Sequence, residues 1–387
     1  MILFLSIFLN VILLSFVLMD FYPIFRQWYG RIHIGRWNNL DMWHNAILNC
    51  ARLWLKSAPT VSITDNKSFI LWDKLQGRYQ STTIQSWQDA GLLLGLLSAN
   101  QNDCISYWMD SKLDTKGMWK EKPLHIDAAL LAYAMLLYVS DNKIKQTAIK
   151  PAMDYIYKLI LSCQENRTIL YRKSTAGIRF VDTLGFICPF LLKYGQIYHK
   201  DEAVALAFLQ LEEYDVALLP NYGFPCHAFD MKYRLPRGIY DWGRGLGWYI
   251  LALVEGKRSC SNNGKESMFN ERIVNLAKKL LPFQNQYGGF SSMIFDTKSY
   301  PESSATVLAG LLFHEAWLLT GKEMFYHARM SVVKSLMMVT QRNGAVDYCQ
   351  GDTKGIGFYS ITFSYMPFVQ GLSLLLINRI KSEKCAH

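Results

Sequence analysis

The chain has 387 residues, 51% of them hydrophobic and 19% charged, which describes a packed globular protein and excludes a disordered one. Its net charge is +10, and no block of five or more like charges occurs. That argues against a dedicated nucleic-acid tail and suits an anionic substrate or an acidic membrane surface.

The first 19 residues, MILFLSIFLNVILLSFVLM, carry no charged side chain, and a stretch of that length crosses a bilayer. A basic n-region and an A-x-A-like cleavage site are both missing, so residues 1–22 read as a retained transmembrane anchor. An export signal is the other reading. Arg26, Arg31 and Arg36 follow, with Trp28, Tyr29 and Trp37 as interface residues. By the positive-inside rule the downstream domain then faces the cytoplasm; under the export reading it lies in the periplasm or at the cell surface.

Beyond the anchor, residues 38–382 are almost wholly helical text. An amphipathic run at 41–57 is followed by an apolar one from Ser86, SWQDAGLLLGLLSA. The alternation continues: 102–113, then HIDAALLAYAMLLY from His125; 145–163, then VDTLGFICPFLLKYG from Val181; 201–214, then DWGRGLGWYILALVEG from Asp241; 267–286, then ESSATVLAGLLFHEAWL from Glu302; and 323–340, then TFSYMPFVQGLSLLLI from Thr362. The apolar runs start about 40 to 60 residues apart, the spacing of a repeated helical hairpin. They lack a polar face and must be buried on all sides. The amphipathic runs, such as ERIVNLAKKLLPFQ, suit an outer layer. Six buried helices ringed by six amphipathic ones make an all-α fold, an (α/α)6 barrel.

In such a ring the starts of the inner helices gather at one end, where polar residues are concentrated: Gln88 and Asp89, His125 and Asp127, Asp182, Trp242 and Arg244, and Glu302. Helix N-termini carry partial positive charge and free N–H groups, so their convergence favours an anion. Asp127 and Asp182 each begin an inner helix, where an aspartate is also an ordinary cap. If the two face each other, repulsion raises the pKa of one and equips it to deliver a proton near neutral pH. His227, in the loop GFPCHAFD, suits a hydrogen bond to a carboxylate. Arg244 offers a bidentate fork for one, unless it pairs with Asp241 or Asp230. Trp242 and Trp248 suit stacking on a sugar, or core packing. Gly243, Gly245 and Gly247 weaken a helix by about 1 kcal/mol each, which is expected to be offset by a ligand meeting the backbone. Gln88 and His125 complete the candidate substrate-binding set.

No metal site or cofactor is expected. The eight cysteines form no CxxC pair and read as free and buried. The polar segment GKRSCSNNGKES at 256–267 lacks the spacing of a phosphate-binding loop. The long polar connection at 341–357 has the character of a lid.

Several segments together resemble one family. DWGRGLGWYILAL is similar to the W-x-R-G-N-G-W signature of the unsaturated glucuronyl and rhamnogalacturonyl hydrolases, glycoside hydrolase families 88 and 105. FVDTLGFICPFLLKYGQIY, NYGFPCHAFD, HIDAALLAYAML and ESSATVLAGLL resemble other segments of that family, in order, over most of residues 40–380. The resemblance implies an acidic oligosaccharide substrate ending in a 4,5-unsaturated uronate, whose C4=C5 vinyl ether is hydrated. It also implies Asp182 as the acid that activates water, Asp127 as its tuner, and His227, Trp242, Arg244 and Trp248 lining the uronate site. Leu246 stands where the family usually has Asn, and YSITFSYMPFVQG lacks an acidic residue expected near the last inner helix. Two other readings are open: an α/α-barrel glycosidase or lyase acting on an anionic surface polysaccharide, and a membrane-tethered glycan-binding protein that kept the fold.

Overall fold

A computed structural model of the chain describes residues 1–59, 65–66, 68–76, 85–260 and 265–384. Cys385 and part of the 256–267 segment lie outside them.

Helix α1 (Ile2–Arg31) precedes α2 (Leu40–Lys56) and the short α3 (Ile70–Leu75). The helical hairpins continue through α4 (Ser86–Ser98), α5 (Asn102–Lys112), α6 (Ala128–Tyr138), α7 (Lys143–Leu161), α8 (Val181–Tyr198) and α9 (Asp201–Glu213). They end with α10 (Gly243–Ser259), α11 (Glu266–Leu280), α12 (Ser303–Thr320), α13 (Glu323–Met338) and α14 (Pro367–Lys384). The inner ring is α4, α6, α8, α10, α12 and α14, each packed on the next, with α14 closing back on α4. The outer helices α2, α5, α7, α9, α11 and α13 cover it. The barrel foreseen from the alternating apolar and amphipathic runs is therefore the fold, and burial explains it. Every residue from Ala128 to Leu136 in α6 is buried, whereas α11 buries only Phe269, Ile273, Leu276, Ala277 and Leu280 along one stripe.

Ring closure depends on residues without side chains. An added Cβ at Gly371 would lie 1.8 Å from the carbonyl oxygen of Gly91, and one at Gly95 would lie 2.2 Å from that of Gly371. Helices α4 and α14 thus touch backbone to backbone. The short connections, such as 139–142 and 321–322, lie at one end of the barrel. The long ones, which among the described residues carry three small antiparallel sheets, lie at the other, where the inner helices begin.

No residue of α1 is buried, and its length and composition suffice to cross a membrane. The helix continues past residue 22 to Arg31, where it meets the barrel. The Arg31 guanidinium donates to both carboxylate oxygens of buried Asp347, at 2.9 and 2.8 Å, and lies over the Tyr348 ring.

Candidate active site

Asp182 is in the first turn of α8, directly after the strand Ile178–Phe180. That strand pairs antiparallel with Ala228–Asp230, which in turn pairs with Leu235–Arg237. The Val181 N–H donates to the His227 carbonyl and the His227 N–H to that of Ile239. This small sheet brings the His227 ring against the Asp182 carboxyl, with Nε2 3.9 Å from Oδ2. Trp242, the N-cap of α10, lies over His227 with ring centroids 4.5 Å apart, and Tyr359 packs on both rings.

The electrostatics of the pair are set by burial. Asp182 is 9% exposed, its Oδ2 has no hydrogen-bond partner among the described residues, and its carboxyl is pushed up to about 7. Loss of hydration is the main cause; the Asp352 charge adds to it, while Arg244 and Arg172 oppose it. Burial, helped by Arg244, holds His227 down at about 4, so its imidazole is neutral at pH 7, and Nδ1 also has no partner among the described residues. A carboxyl that carries its proton near neutrality beside a neutral imidazole is poised for general acid–base work.

Asp127 is buried at the start of α6, and burial likewise raises its pKa against the pull of Arg172, whose Nη2 lies 3.4 Å from Oδ1. Mutual repulsion between Asp127 and Asp182 was the expected cause of a raised pKa. Instead, burial dominates at each, and the like charge acting on both is Asp352.

Four expectations are revised by the packing. Arg244 is 2% exposed, and its Nη1 donates to the Gln350 carbonyl at 2.6 Å and its Nη2 to that of Gly351. Its fork is spent on the chain's own backbone, and Asp230 pairs with Arg237 instead. Both tryptophans are core: Trp248 is wedged among Trp87, Phe186 and Phe368, and Trp242 is 1% exposed, packed on His227 and Tyr359. Gln88 is buried too, its amide oxygen accepting the Phe368 N–H at the start of α14. What approaches Gly243, Gly245 and Gly247 is the protein itself: Ala305, the Trp242 ring and Leu308, respectively, each within 2.7 Å of an added Cβ. His125 is exposed at the rim, two residues before Asp127.

Arg172, Asp352 and Tyr359, which no sequence pattern singles out, stand at the same mouth. Arg172, a quarter exposed and stacked 4.1 Å over Tyr171, stands between Asp127 and Asp182 electrostatically. Asp352 and Tyr359 come from the 349–365 connection, which is held down from several directions. Trp242 Nε1 donates to the Gln350 amide oxygen, and the Gln350 N–H donates to Glu302, the N-cap of α12. Among the described residues no group of three or more His, Cys, Asp or Glu is placed to hold a metal ion.

Comparison with known proteins bears on this arrangement. Residues 78–379 match the model of Glycosyl Hydrolase Family 88. No curated protein sequence matches the chain. A possible member of glycoside hydrolase family 105 from Salmonella enterica serovar Paratyphi A has a similar structure, with a TM-score of 0.73 and 14% identity over 90% of this chain and 96% of that one. A family 105 enzyme from C. acetobutylicum matches with a TM-score of 0.67 and 16% identity, covering 81% of this chain and 98% of its own. An unsaturated glucuronyl hydrolase from Bacillus sp. GL1, described as responsible for glycosaminoglycan degradation, matches with a TM-score of 0.58 and 15% identity over 88% and 95% of the two chains. At these identities the structures speak for the barrel alone. The family match spans most of the chain: this protein belongs to Glycosyl Hydrolase Family 88 and is a glycoside hydrolase.

Proposed function

We propose that the enzyme removes a 4,5-unsaturated uronate from the end of an acidic oligosaccharide by hydrating its C4=C5 bond. The observation that carries this reading is the buried Asp182 carboxyl, which has an oxygen without a partner among the described residues and a proton held to about pH 7. An enol ether is attacked at carbon by a proton donor, and a carboxylic acid with that pKa retains a proton at neutral pH while remaining acidic enough to release it.

In this mechanism Asp182 transfers its proton to C4. The C4=C5 electron pair forms the new C–H bond and leaves an oxocarbenium ion at C5 and the ring oxygen. The Asp182 carboxylate then takes a proton from a water molecule as that oxygen bonds to C5. The resulting hemiketal opens, and the aglycone departs from C1 with its oxygen. Neutral His227, beside Asp182, donates a hydrogen bond to the sugar or its water and adds no charge that would oppose the cation. Tyr359, part-exposed where it packs on buried Trp242, is the ring that suits the flat sugar. Arg172, partly exposed beside both aspartates, is the guanidinium available to the uronate carboxylate. Arg244 is a positioning residue that pins the backbone from which Asp352 and Tyr359 project.

The neighbours named as glucuronyl hydrolases and the family match support this substrate class. The test is incubation with oligosaccharides made by polysaccharide lyases, following the ultraviolet absorbance of the conjugated uronate. Wild type is expected to bleach it and Asp182→Asn to leave it intact. Turnover by the Asn variant at the wild-type rate contradicts the assignment.

A further inference from the structure

The connections at the mouth of the barrel leave large apolar side chains in solvent, and a set of them is continuous with α1. Helix α3 exposes Trp72 and Leu75 and is preceded by exposed Phe69. Phe69 has φ 56°, a left-handed conformation that bulky residues rarely adopt. It is held there by α1: the Asp20 carboxylate accepts the N–H groups of Phe69 and Ile70, both at 2.7 Å. In that position the Phe69 ring meets Phe16 of α1, with centroids 6.2 Å apart.

The same patch reaches the connection that carries Asp352 and Tyr359. The Asp65 carboxylate, a few residues before α3, accepts from the Ile361 N–H at 3.2 Å and the Thr362 hydroxyl at 3.0 Å. Ile361 is 82% exposed and Phe358 72%. Lower on α1, Gln27 and Arg31 donate to the Phe363 carbonyl. Three segments far apart in sequence are thus stitched together by polar bonds, and two of them leave large apolar side chains exposed: Phe69, Trp72 and Leu75 at α3, and Phe358 and Ile361 in the turn.

The position along α1 at which α3 is held matches what a bilayer requires. Residues 2–19 of α1 are uncharged and mainly apolar, none of them is buried, and at 1.5 Å per residue they extend about 27 Å, close to the thickness of a hydrocarbon core. Asp20, the first charged residue, marks where that core ends, and Asp20 is the residue that holds α3. Trp72 and Phe69 therefore sit at the depth where aromatic side chains favour the membrane interface. We propose that α1 spans a lipid bilayer and that α3 and the 358–361 turn rest on its surface, so that the mouth of the site opens beside the lipid headgroups. The occupant of this exposed patch is lipid, and glycans held close to a membrane are the substrates this placement favours.

The test uses the full chain reconstituted into phosphatidylcholine–phosphatidylglycerol vesicles. A benzophenone amino acid replaces, one at a time, Trp72, Phe358, Leu13 within α1, and Ile144, which is 83% exposed next to a short connection at the opposite end of the barrel. After irradiation, adducts are identified by mass spectrometry. The expected result is lipid adducts at 13, 72 and 358 and severalfold less at 144. Adducts at 13 alone would show a spanning helix with the mouth turned away and would overturn the proposal. Adducts at none of the four positions would do the same, as would cross-links from 72 to a second copy of the chain, which would assign the patch to self-association. Because the readout involves no turnover, it stands or fails separately from the reaction proposed above.

Discussion

Replacing Asp182 by Asn removes the proposed acid and, with it, an ionisation that the fold resists. The folded carboxyl binds its proton more tightly than the unfolded one, with a pKa of about 7 against an ordinary 3.8. The sign follows from linkage: the native state holds the extra proton between those values, so stability is full below pH 4 and is lost as pH rises towards 7. At about 1.4 kcal/mol per pKa unit, the wild type forfeits up to about 4 kcal/mol over that window, an upper bound because the neighbourhood can relax. Asn carries no charge and forfeits nothing. The full chain in mild detergent, unfolded with urea at several pH values from 4 to 8, measures the difference. Asp182→Asn is expected to gain on the wild type steadily up to about pH 7 and then level off, while turnover falls roughly a hundred- to ten-thousandfold. A stability difference that does not change with pH would refute the claim that burial raises this carboxyl.

Further outcomes follow from the same geometry. The kcat/KM of the wild type should fall about tenfold per pH unit above about 7, as Asp182 loses its proton, and no protonation of His227 should intervene until the pH approaches 4; a basic limb beginning only above pH 9 would contradict the assignment. Arg172→Lys is expected to raise KM for the acidic substrate, whereas Arg244→Lys, which leaves the carbonyls of Gln350 and Gly351 poorly satisfied, should lower kcat and cost about 1–3 kcal/mol in urea unfolding. The opposite pattern would return the carboxylate-binding role to Arg244. Gly371→Ala places a Cβ 1.8 Å from the Gly91 carbonyl oxygen and should cost about 1–3 kcal/mol or more, read as a lowered Tm.

The barrel was legible because burial leaves a mark on every turn of a helix: α6, apolar all round, has no reading other than an inner one. The placement of Asp127 and Asp182 was legible because they open such helices, and helix starts share one end of the ring. Their partners were not. Arg244 is satisfied by the carbonyls of Gln350 and Gly351, and backbone acceptors carry no residue identity for a sequence to display. Arg172 and Asp352 lie in connections without periodicity, so only the folded chain brings them to the same mouth. The glycines around Arg244 were visible, but their cause was misjudged, since close approach by Leu308 of α12 and close approach by a sugar leave the same signature. Trp248 misled for a related reason: a tryptophan near a site looks alike in sequence whether its ring faces the cavity or, as here, lies among Trp87, Phe186 and Phe368.

The central claim is that Asp182 delivers a proton to C4 of an unsaturated uronate. Running the wild-type reaction in deuterium oxide and examining the released sugar acid by NMR tests it most directly. The account predicts one solvent deuterium at C4, on a single face, and a product without the C4=C5 bond. Release of a uronate that keeps its double bond and carries no deuterium at C4 would mean that the glycosidic bond is attacked directly, and the account would be wrong.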